Sequence, residues 1–522
     1  MKTGIFVFLR MQYISGISRH QMRISSLEDA IALDNQVRFI DAFVTFVDFA
    51  KLGFAVQTIK GEGRPSYDNK IFLKIYLYGY LNGIRSSRKL AKESLRNLEM
   101  QWLLEDIRPN YHSISDFRKN NPLALKNLFK LFVVFLKDAD LIAGETIAID
   151  GTKSRAHNSK KANFNQKKID KHLEYIEAKT QEYLDALEEN DAKENPEKIK
   201  NIQQKIERLK QNKIRYEVLE EKLEASGEPQ ISTTDSDARA LLVQGQVVEI
   251  SFNIQAAVDA KHNLVVATHT INKNDRSALS AIAIEAKENL GIETYTALVD
   301  KGYHNGKQIE ICKQANINTI VAQPEQGKSN ENGTTKDYLV AQFQYDQDTD
   351  TYTCPQGETL KTTGSWHKKT TDSDSYNFKK YRTPKCRECP VKHLCTSRAG
   401  GREIDRSQYA DAVEENNKRY HANAQLYRKR QEINEHIFGT IKRQWGYNHT
   451  NLKGLEKVNG EHNLIMLVYN IKRSINILGV PELIAKLQKW NSPYKAKVLF
   501  LVETIYLKLN RANIFCQTSL AA

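Results

Sequence analysis

The chain has 522 residues and a mass of 59.8 kDa, a length at which several domains each bury a core of their own. Hydrophobic residues make up 40% and charged residues 27%, a balance that excludes a fibrous or largely disordered protein. The net charge of +14 favours an anionic partner, with nucleic acid ahead of an acidic membrane surface.

The chain opens with the short apolar stretch Ile5 to Leu9, which Arg10 interrupts. This stretch is too short for the apolar part of a secretion signal. No apolar run approaches the roughly 18 residues that a membrane span needs. We therefore expect a cytoplasmic protein.

Residues 20–138 are predicted to form an all-helical domain, because apolar residues recur at helical spacing from Ile71 onwards. Gly83 is expected to end one helix, Ser86 or Ser87 to cap the next, and Ser115 to cap a third. Basic residues lie near two of these helix starts, at Arg88, Lys89 and Arg118. They are candidates for phosphate contacts, although a packing or dimerisation domain with a wet basic face is the alternative.

From residue 145 the pattern changes to that of an α/β domain, predicted over 143–325 and 412–480. Two buried strands are each expected to end in a lone aspartate, Asp150 and Asp300, where open sheets present functional groups. The alternative is that each aspartate caps a turn. Between them, a short heptad pattern predicts an antiparallel helical hairpin over 160–225.

Residues 326–411 look like an insertion rich in Gly, Thr, Asp and Cys. Four cysteines lie within it, Cys354, Cys386, Cys389 and Cys395, at a spacing that suits a tetrahedral structural Zn²⁺ site. Buried free thiols are one alternative, and a site in which His393 replaces a cysteine is the other.

In the helix predicted before residue 445, Arg428, Glu435 and Lys442 recur every seven residues and so share one face. A solvated charged stripe would have the same spacing. However, apolar residues bury one side of this helix, and Glu435 lies at its border. A carboxylate fixed beside Asp150 and Asp300 is what a divalent-metal site for phosphoryl transfer requires.

Three segments resemble the DDE transposases of bacterial insertion sequences. They are Ile147-Ala-Ile-Asp150-Gly-Thr, Val299-Asp300-Lys-Gly-Tyr303 and Asn434-Glu435-His-Ile-Phe-Gly-Thr-Ile-Lys442. The resemblance implies an RNase H-like α/β catalytic core with helical-hairpin and Cys-rich insertions, preceded by an all-α N-terminal domain. It also implies that Asp150, Asp300 and Glu435 hold Mg²⁺ or Mn²⁺. Such a site cuts transposon ends and joins the released 3′-hydroxyl to target DNA.

The resemblance further implies double-stranded DNA as the partner, a nucleoid-associated location and a homodimer in the synaptic complex. The residues expected to contact DNA are Lys442, Arg428, Arg430, Lys153, Arg155, Arg88, Lys89 and Arg118. For these basic residues, ordinary solvated charge is the alternative. Two other functions stay open: a metal-dependent nuclease without strand transfer, and a catalytically silent DNA-binding protein derived from a transposase.

One departure from the family pattern concerns the helix that carries Glu435. Related signatures place a Tyr and an Arg before the Glu, with three residues between the Arg and the Glu. Tyr427 and Arg430 keep their mutual spacing, but four residues separate Arg430 from Glu435. Arg428 is therefore an equal candidate for that role. Glu432 competes as the third carboxylate, but seven residues after it lies a glycine instead of a lysine.

Overall fold

A computed structural model describes residues 17–22, 24–55, 66–191, 196–243, 247–324, 334–371 and 374–491. The apolar stretch Ile5 to Leu9 and the segment after residue 491 lie outside the described residues. Among the helices that are described, none is long and apolar enough to cross a lipid bilayer. The chain combines an N-terminal helical region with a sheet-rich region that follows it.

The described residues of the N-terminal region form six α-helices. They are α1 (Gln36–Phe46), α2 (Asn69–Leu81), α3 (Ser87–Arg96), α4 (Leu98–Leu103), α5 (Tyr111–Asn120) and α6 (Pro122–Asp138). Asparagine and aspartate side chains cap several of them, as Asp68 does by accepting from the Lys70 amide at 2.9 Å. Gly83 adopts a φ of +75° just after α2, so the predicted break at this residue is confirmed.

The predicted cap at Ser115 is wrong, because this residue lies inside α5. The helix begins one turn earlier, where the Asn110 side chain accepts a hydrogen bond from the Ser113 amide at 3.0 Å. Asparagine and serine are about equally good caps, and the sequence pattern singled out the wrong one.

In the middle of the chain, the residues that the structure describes form eight strands and four α-helices. The strands are β1 (Thr146–Arg155), β2 (Asn163–Phe164), β3 (Ile231–Ser232), β4 (Arg239–Val243), β5 (Val247–Asp259), β6 (Leu264–Ile271), β7 (Tyr295–Val299) and β8 (Ile317–Val321). The helices are α7 (Gln166–Asp191), α8 (Pro196–Ser226), α9 (Leu279–Leu290) and α10 (Gly306–Gln314).

Six of these strands form one mixed sheet in the order β4-β5-β1-β7-β8, with β6 also paired to β5. Strand β5 runs antiparallel to β1, β4 and β6, whereas β7 and β8 run parallel to β1. Strands β5 and β6 form a hairpin, and β7 ends directly before Asp300, where a buried strand is predicted to end. The centre of the sheet is buried on both faces, as expected for apolar parallel strands.

Two long helices, α7 and α8, project from the sheet region where the heptad pattern predicts a hairpin. Cross-contacts such as Lys213 with Glu177 at 3.0 Å and Gln166 with Glu220 show that they run antiparallel. At the base of this arm, β2 and β3 pair, and Phe164 packs into a small apolar cluster separate from the main core.

A second sheet forms from residues 344–407. Its strands are β9 (Gln344–Asp346), β10 (Thr351–Thr353), β11 (Thr359–Thr362), β12 (His367–Thr371), β13 (Asp374–Arg382) and β14 (Glu403–Ser407), with a short helix α11 (Lys392–Cys395) before β14. Its small apolar core, which includes Leu360 and Tyr381, is separate from the core of the main sheet.

The last part of the described chain is helical. It contains α12 (Ala410–Ala422), α13 (Ala424–Phe438), a π-helical turn at Gly439–Gln444, α14 (Leu455–Leu478) and α15 (Val480–Lys489). Helix α14 lies between α6 and β6. It packs so closely that a Cβ at Gly460 would come within 2.6 Å of Pro122 Cα.

Asparagine side chains from these late helices bond the outer strands of the sheet. The Asn470 amide accepts from the Val265 N–H at 2.9 Å and donates to the Val265 carbonyl at 2.8 Å. On the opposite edge, Asn416 forms the same pair of bonds with Val321, both at 2.9 Å. Each amide thus satisfies the backbone N–H and C=O of one edge residue, as a further strand would do.

A buried ionic cluster joins the N-terminal helices to α14. The Glu461 carboxylate is fully buried and lies 2.7 Å from Arg85 and 3.4 Å from Arg118. Its second oxygen accepts from the Asn451 N–H at 2.9 Å. The predicted DNA contact of Arg118 is therefore corrected: its guanidinium is 6% exposed and is bonded inside the protein.

Candidate active site

The register of β1 and β7 places Asp150 beside Asp300. The two strands run parallel with Ile149 opposite Val299, and the next residue on each strand is an aspartate. The prediction that β1 ends at Asp150 is wrong, because the strand continues to Arg155 through its pairing with β5. Only the pairing with β7 stops before Asp150, and this is what opens a gap in the sheet at the aspartates.

The guanidinium of Arg430 lies between these two carboxylates. Its Nη1 is 3.7 Å from Asp150 Oδ2, and its Nη2 is 3.2 Å from Asp300 Oδ1. Tyr427, one turn earlier on α13, donates from its hydroxyl to the Val299 carbonyl at 3.2 Å. The Tyr427 and Arg430 pair therefore faces the aspartates, whereas Arg428 is exposed and is not among the residues that line this cleft.

Glu435 lines the same open cleft, which has a volume of about 850 Å³ and also contains Asp150, Asp300 and Lys442. The Glu435 carboxylate is exposed and accepts a hydrogen bond from Gln431 Nε2 at 2.7 Å. Glu432 is also exposed but is not part of the cleft lining. Of the two glutamates considered for the third carboxylate, only Glu435 lines the cleft that contains the aspartates.

The electrostatics of Asp150 differ from those of a surface aspartate. Burial raises its pKa to about 6, and the neighbouring carboxylates of Asp300 and Asp275 act in the same direction. The Gly151 N–H, which donates to Asp150 Oδ1 at 2.7 Å, and the Arg430 guanidinium oppose this rise. A site that concentrates carboxylates at such a cost favours a compensating positive charge.

Lys442 is held on β1 close to the aspartates. Its ammonium donates to the Thr152 hydroxyl at 3.0 Å and to the Lys153 carbonyl at 2.9 Å. Burial lowers its pKa, with Lys153 acting in the same direction and Glu249 against it. Lys442 lies in the π-helical turn. The loop that follows is held by a hydrogen bond from the Thr450 N–H to the backbone carbonyl of Arg155 at 2.8 Å.

A buried polar layer that the sequence did not reveal supports β1 from behind. Asp275 accepts from Lys153 Nζ at 3.1 Å, from Asn253 Nδ2 at 2.7 Å and from Gln255 Nε2 at 3.0 Å. Gln255 in turn accepts from the Tyr303 hydroxyl at 2.6 Å, which ties β5, the neighbour of β1, to the turn after Asp300.

The layer leaves no room for a side chain at Gly151. A Cβ there would lie 2.5 Å from both Asp275 Oδ1 and Gln255 Nε2. We expect Gly151→Ala to lower the free energy of unfolding by about 1–3 kcal/mol, as overpacking does elsewhere. Urea unfolding measures the change. Gly439→Ala is the control, because a Cβ at Gly439 meets nothing within 4 Å. A Gly151→Ala protein as stable as wild type would contradict this account.

The remaining basic candidates differ in their accessibility. Arg88 and Lys89 are exposed on α3, and Arg88 lies over the Tyr111 ring at 5.1 Å. Arg155 is 63% exposed and paired with Glu249, whereas the Lys153 side chain is 12% exposed and paired with Asp275. Lys153 is therefore bonded within the polar layer, and its contact with a DNA phosphate stays a prediction.

Several oxygen-bearing side chains line the cleft. Carboxylate and amide oxygens are hard ligands, and the cleft places Asp150, Asp300, Glu435 and the buried amide of Asn434 around one opening. The Arg430 guanidinium already stands between the two aspartates as a positive group. In the described residues, however, no three His, Cys, Asp or Glu side chains converge closely enough to hold a metal.

The predicted zinc site is not supported. Burial raises the pKa of the Cys395 thiol, Arg402 opposes this, and the thiols of Cys386, Cys354 and Cys389 add to the rise, so the four sulfurs lie in one region. Still, no three of these thiols are placed to hold a metal ion within the part of the chain that is described. Cys354 and Cys395 pack instead against the apolar core of the second sheet.

Two family models match the chain, and both describe transposases. A transposase DDE domain matches residues 353–475, and a transposase domain (DUF772) matches residues 25–120. Both matches therefore support a transposase. More narrowly, the matches support an insertion-sequence DDE transposase, and the resemblance seen in the three motifs is confirmed.

The matches do not reach the whole site. The DDE range contains Glu435 and Lys442 but begins after Asp150 and Asp300 in the sequence. The assignment of these aspartates therefore depends on the register of β1 and β7. No curated protein and no solved structure matches the chain.

Proposed function

We propose that this protein cuts DNA at the ends of an insertion sequence and joins the cut ends to target DNA. Asp150, Asp300 and Glu435 are its catalytic carboxylates in this proposal. The observation that supports it most directly is the parallel register of β1 and β7, which puts the two aspartates side by side in the cleft that contains Glu435. We further infer an RNase H-like core. On one side of β1 lies β5, which runs antiparallel to both β1 and β6, and on the other side lie β7 and β8, which run parallel to β1.

The proposed reaction has two balanced steps at phosphorus. In the first, a water oxygen bonds to phosphorus and the bond to the 3′ oxygen breaks, which leaves a 3′-hydroxyl and a 5′-phosphate. In the second, that 3′-hydroxyl oxygen bonds to a target phosphorus and the target's own 3′ oxygen leaves. Mg²⁺ or Mn²⁺ held by the three carboxylates would activate the attacking oxygen and stabilise the leaving one.

The basic residues of the cleft orient the DNA in this proposal. Lys442 is held against β1 by two hydrogen bonds, so its charge stays at a fixed distance from Asp150. Arg430 neutralises the aspartates before DNA enters and can pair with a phosphate once a cation replaces it. Arg428 and Arg155 lie at the surface, where they can meet the flanking backbone.

We place the N-terminal helices on the transposon end, with Arg88 and Lys89 as phosphate contacts. Replacing both by alanine is expected to weaken binding to end DNA and to reduce the salt dependence of binding by about two counterions. Fluorescence anisotropy at several salt concentrations measures the slope. The control replaces Lys167 and Lys171, which are exposed on α7, and removes the same charge from the arm. Equal slopes for both double variants would contradict this assignment.

The proposed synaptic complex is a homodimer, because one insertion sequence has two ends to be brought together. Crosslinking in the presence and absence of end DNA tests this. A protein that remains a monomer on paired ends would contradict it.

The test of the proposed function uses the full chain and labelled DNA that carries the element's own ends, with Mg²⁺ or Mn²⁺. Wild type is expected to yield cleaved ends and joined products, and Asp300→Ala to yield neither while still binding DNA. Cleavage without joining would identify a nuclease. Binding without cleavage by wild type, unchanged in the variant, would identify a silent DNA-binding protein and overturn the proposal.

A further inference from the structure

The residue next to Glu435 is a buried polar side chain without a partner. Asn434 is 1% exposed and lines the same cleft as Asp150 and Asp300. Neither its amide oxygen nor its amide nitrogen has a hydrogen-bond partner among the described residues. An asparagine side chain offers one acceptor and two donor hydrogens, so the whole group is left unsatisfied.

Buried asparagines elsewhere in this protein are treated differently. The amides of Asn416 and Asn470 each make two hydrogen bonds to a strand backbone, at distances of 2.8 to 2.9 Å. Leaving a buried amide unpaired costs about 1–3 kcal/mol, whereas an apolar side chain of the same shape would cost nothing comparable. A position that tolerates this cost beside three carboxylates points to a ligand that the amide binds.

The position of Asn434 on α13 points to the kind of ligand. It lies one helical turn after Arg430 and so on the face of α13 that meets the aspartates. The Nε of Arg430 is likewise buried and without a partner, so the two neighbours do not satisfy each other. The Nε of Arg430 is only a hydrogen-bond donor, whereas the Asn434 amide also offers a carbonyl oxygen that can bind a cation.

We propose that the carbonyl oxygen of Asn434 is an additional ligand of a divalent cation bound between Asp150 and Asp300. A neutral amide oxygen adds a hard ligand without adding to the negative charge that already burdens the site. Its amide nitrogen then remains free to donate to a phosphate oxygen of bound DNA. This inference depends on the proposed function, since that function supplies the cation.

The test measures Mn²⁺ binding to the full-length protein without DNA, by electron paramagnetic resonance of free Mn²⁺. Asn434→Leu is expected to weaken Mn²⁺ binding about tenfold, in the range found when a supporting metal contact is lost. Asn434→Asp is expected to bind Mn²⁺ at least as tightly as wild type. The matched control is Asn448→Ala, because Asn448 lines the same cleft but is exposed. This control is expected to leave the affinity unchanged.

Thermal unfolding separates ligand binding from a structural role. Without metal, Asn434→Leu is expected to melt no lower than wild type, since it removes an unsatisfied buried group. Unchanged Mn²⁺ affinity in Asn434→Leu would overturn the inference, while loss of binding in Asp300→Asn would leave the proposed function standing. If Asn434→Leu fails to fold, weaker Mn²⁺ binding by Asn434→Asp overturns it instead. A wild-type protein that binds no Mn²⁺ would overturn both.

Discussion

Replacing Glu435 by glutamine is expected to slow cleavage of end DNA on the order of a thousandfold, equivalent to about 4 kcal/mol of transition-state stabilisation. The amide keeps the shape of the side chain and its contact with Gln431 but removes the negative charge from the cleft. Single-turnover cleavage of labelled ends at saturating protein measures the effect, because binding then does not limit the rate.

Glu432→Gln is the matched control for this change. Glu432 is exposed on the same helix three residues earlier, carries the same charge and is not part of the cleft lining. Its variant is expected to cleave at the wild-type rate. The reverse pattern, with Glu432→Gln inactive and Glu435→Gln active, would show that α13 presents the other glutamate to the aspartates.

Replacing Glu461 by glutamine is expected to lower the free energy of unfolding by about 3–5 kcal/mol, the cost of breaking a buried ion pair from one side. The variant would leave the guanidinium groups of Arg85 and Arg118 buried without a counter-charge, at 7% and 6% exposure. It would also place an amide where a carboxylate oxygen accepts the Asn451 N–H. Urea unfolding at neutral pH measures the difference.

The pH dependence of this difference has a defined sign. Burial alone would raise the pKa of Glu461, but the guanidinium groups of Arg118 and Arg85 outweigh burial and lower it from 4.5 to about 2. The wild-type advantage is therefore complete above pH 4.5 and shrinks as the pH falls towards 2. The control is Asp106→Asn, which breaks an exposed pair with Arg108 and should cost less than about 1 kcal/mol. Equal losses in both variants would contradict the account.

The sequence predicted the parts of the site that depend on local pattern. Short apolar runs of strand type precede Asp150 and Asp300, and strands β1 and β7 form there. The heptad spacing predicted α7 and α8, because an apolar stripe needs only the neighbouring helix to pack against. Local pattern could not predict the end of β1. The second half of this strand is stabilised by pairing with β5, about a hundred residues away in sequence.

The functions of single charged residues were less predictable than the elements that carry them. Arg118 has the spacing of a surface residue on a short helix, and only the approach of Glu461 from α14 makes it a buried ion-pair partner. The seven-residue spacing of Arg428, Glu435 and Lys442 predicted that Arg428 faces the site. Instead, α13 packs on the sheet through the face that carries Arg430 and Asn434. Such roles depend on contacts between residues far apart in the chain, which no local pattern records.

The asparagine side chains at the two edges of the sheet have a consequence for synthesis on the ribosome. Asn416 and Asn470 lie on α12 and α14, which are translated after every strand that they cover. A nascent chain that stops before them exposes two strand edges, which invite pairing with other chains. The two sheet edges are therefore protected only after α12 and α14 have been made. Truncated translation products are expected to aggregate rather than to compete with the complete protein for DNA.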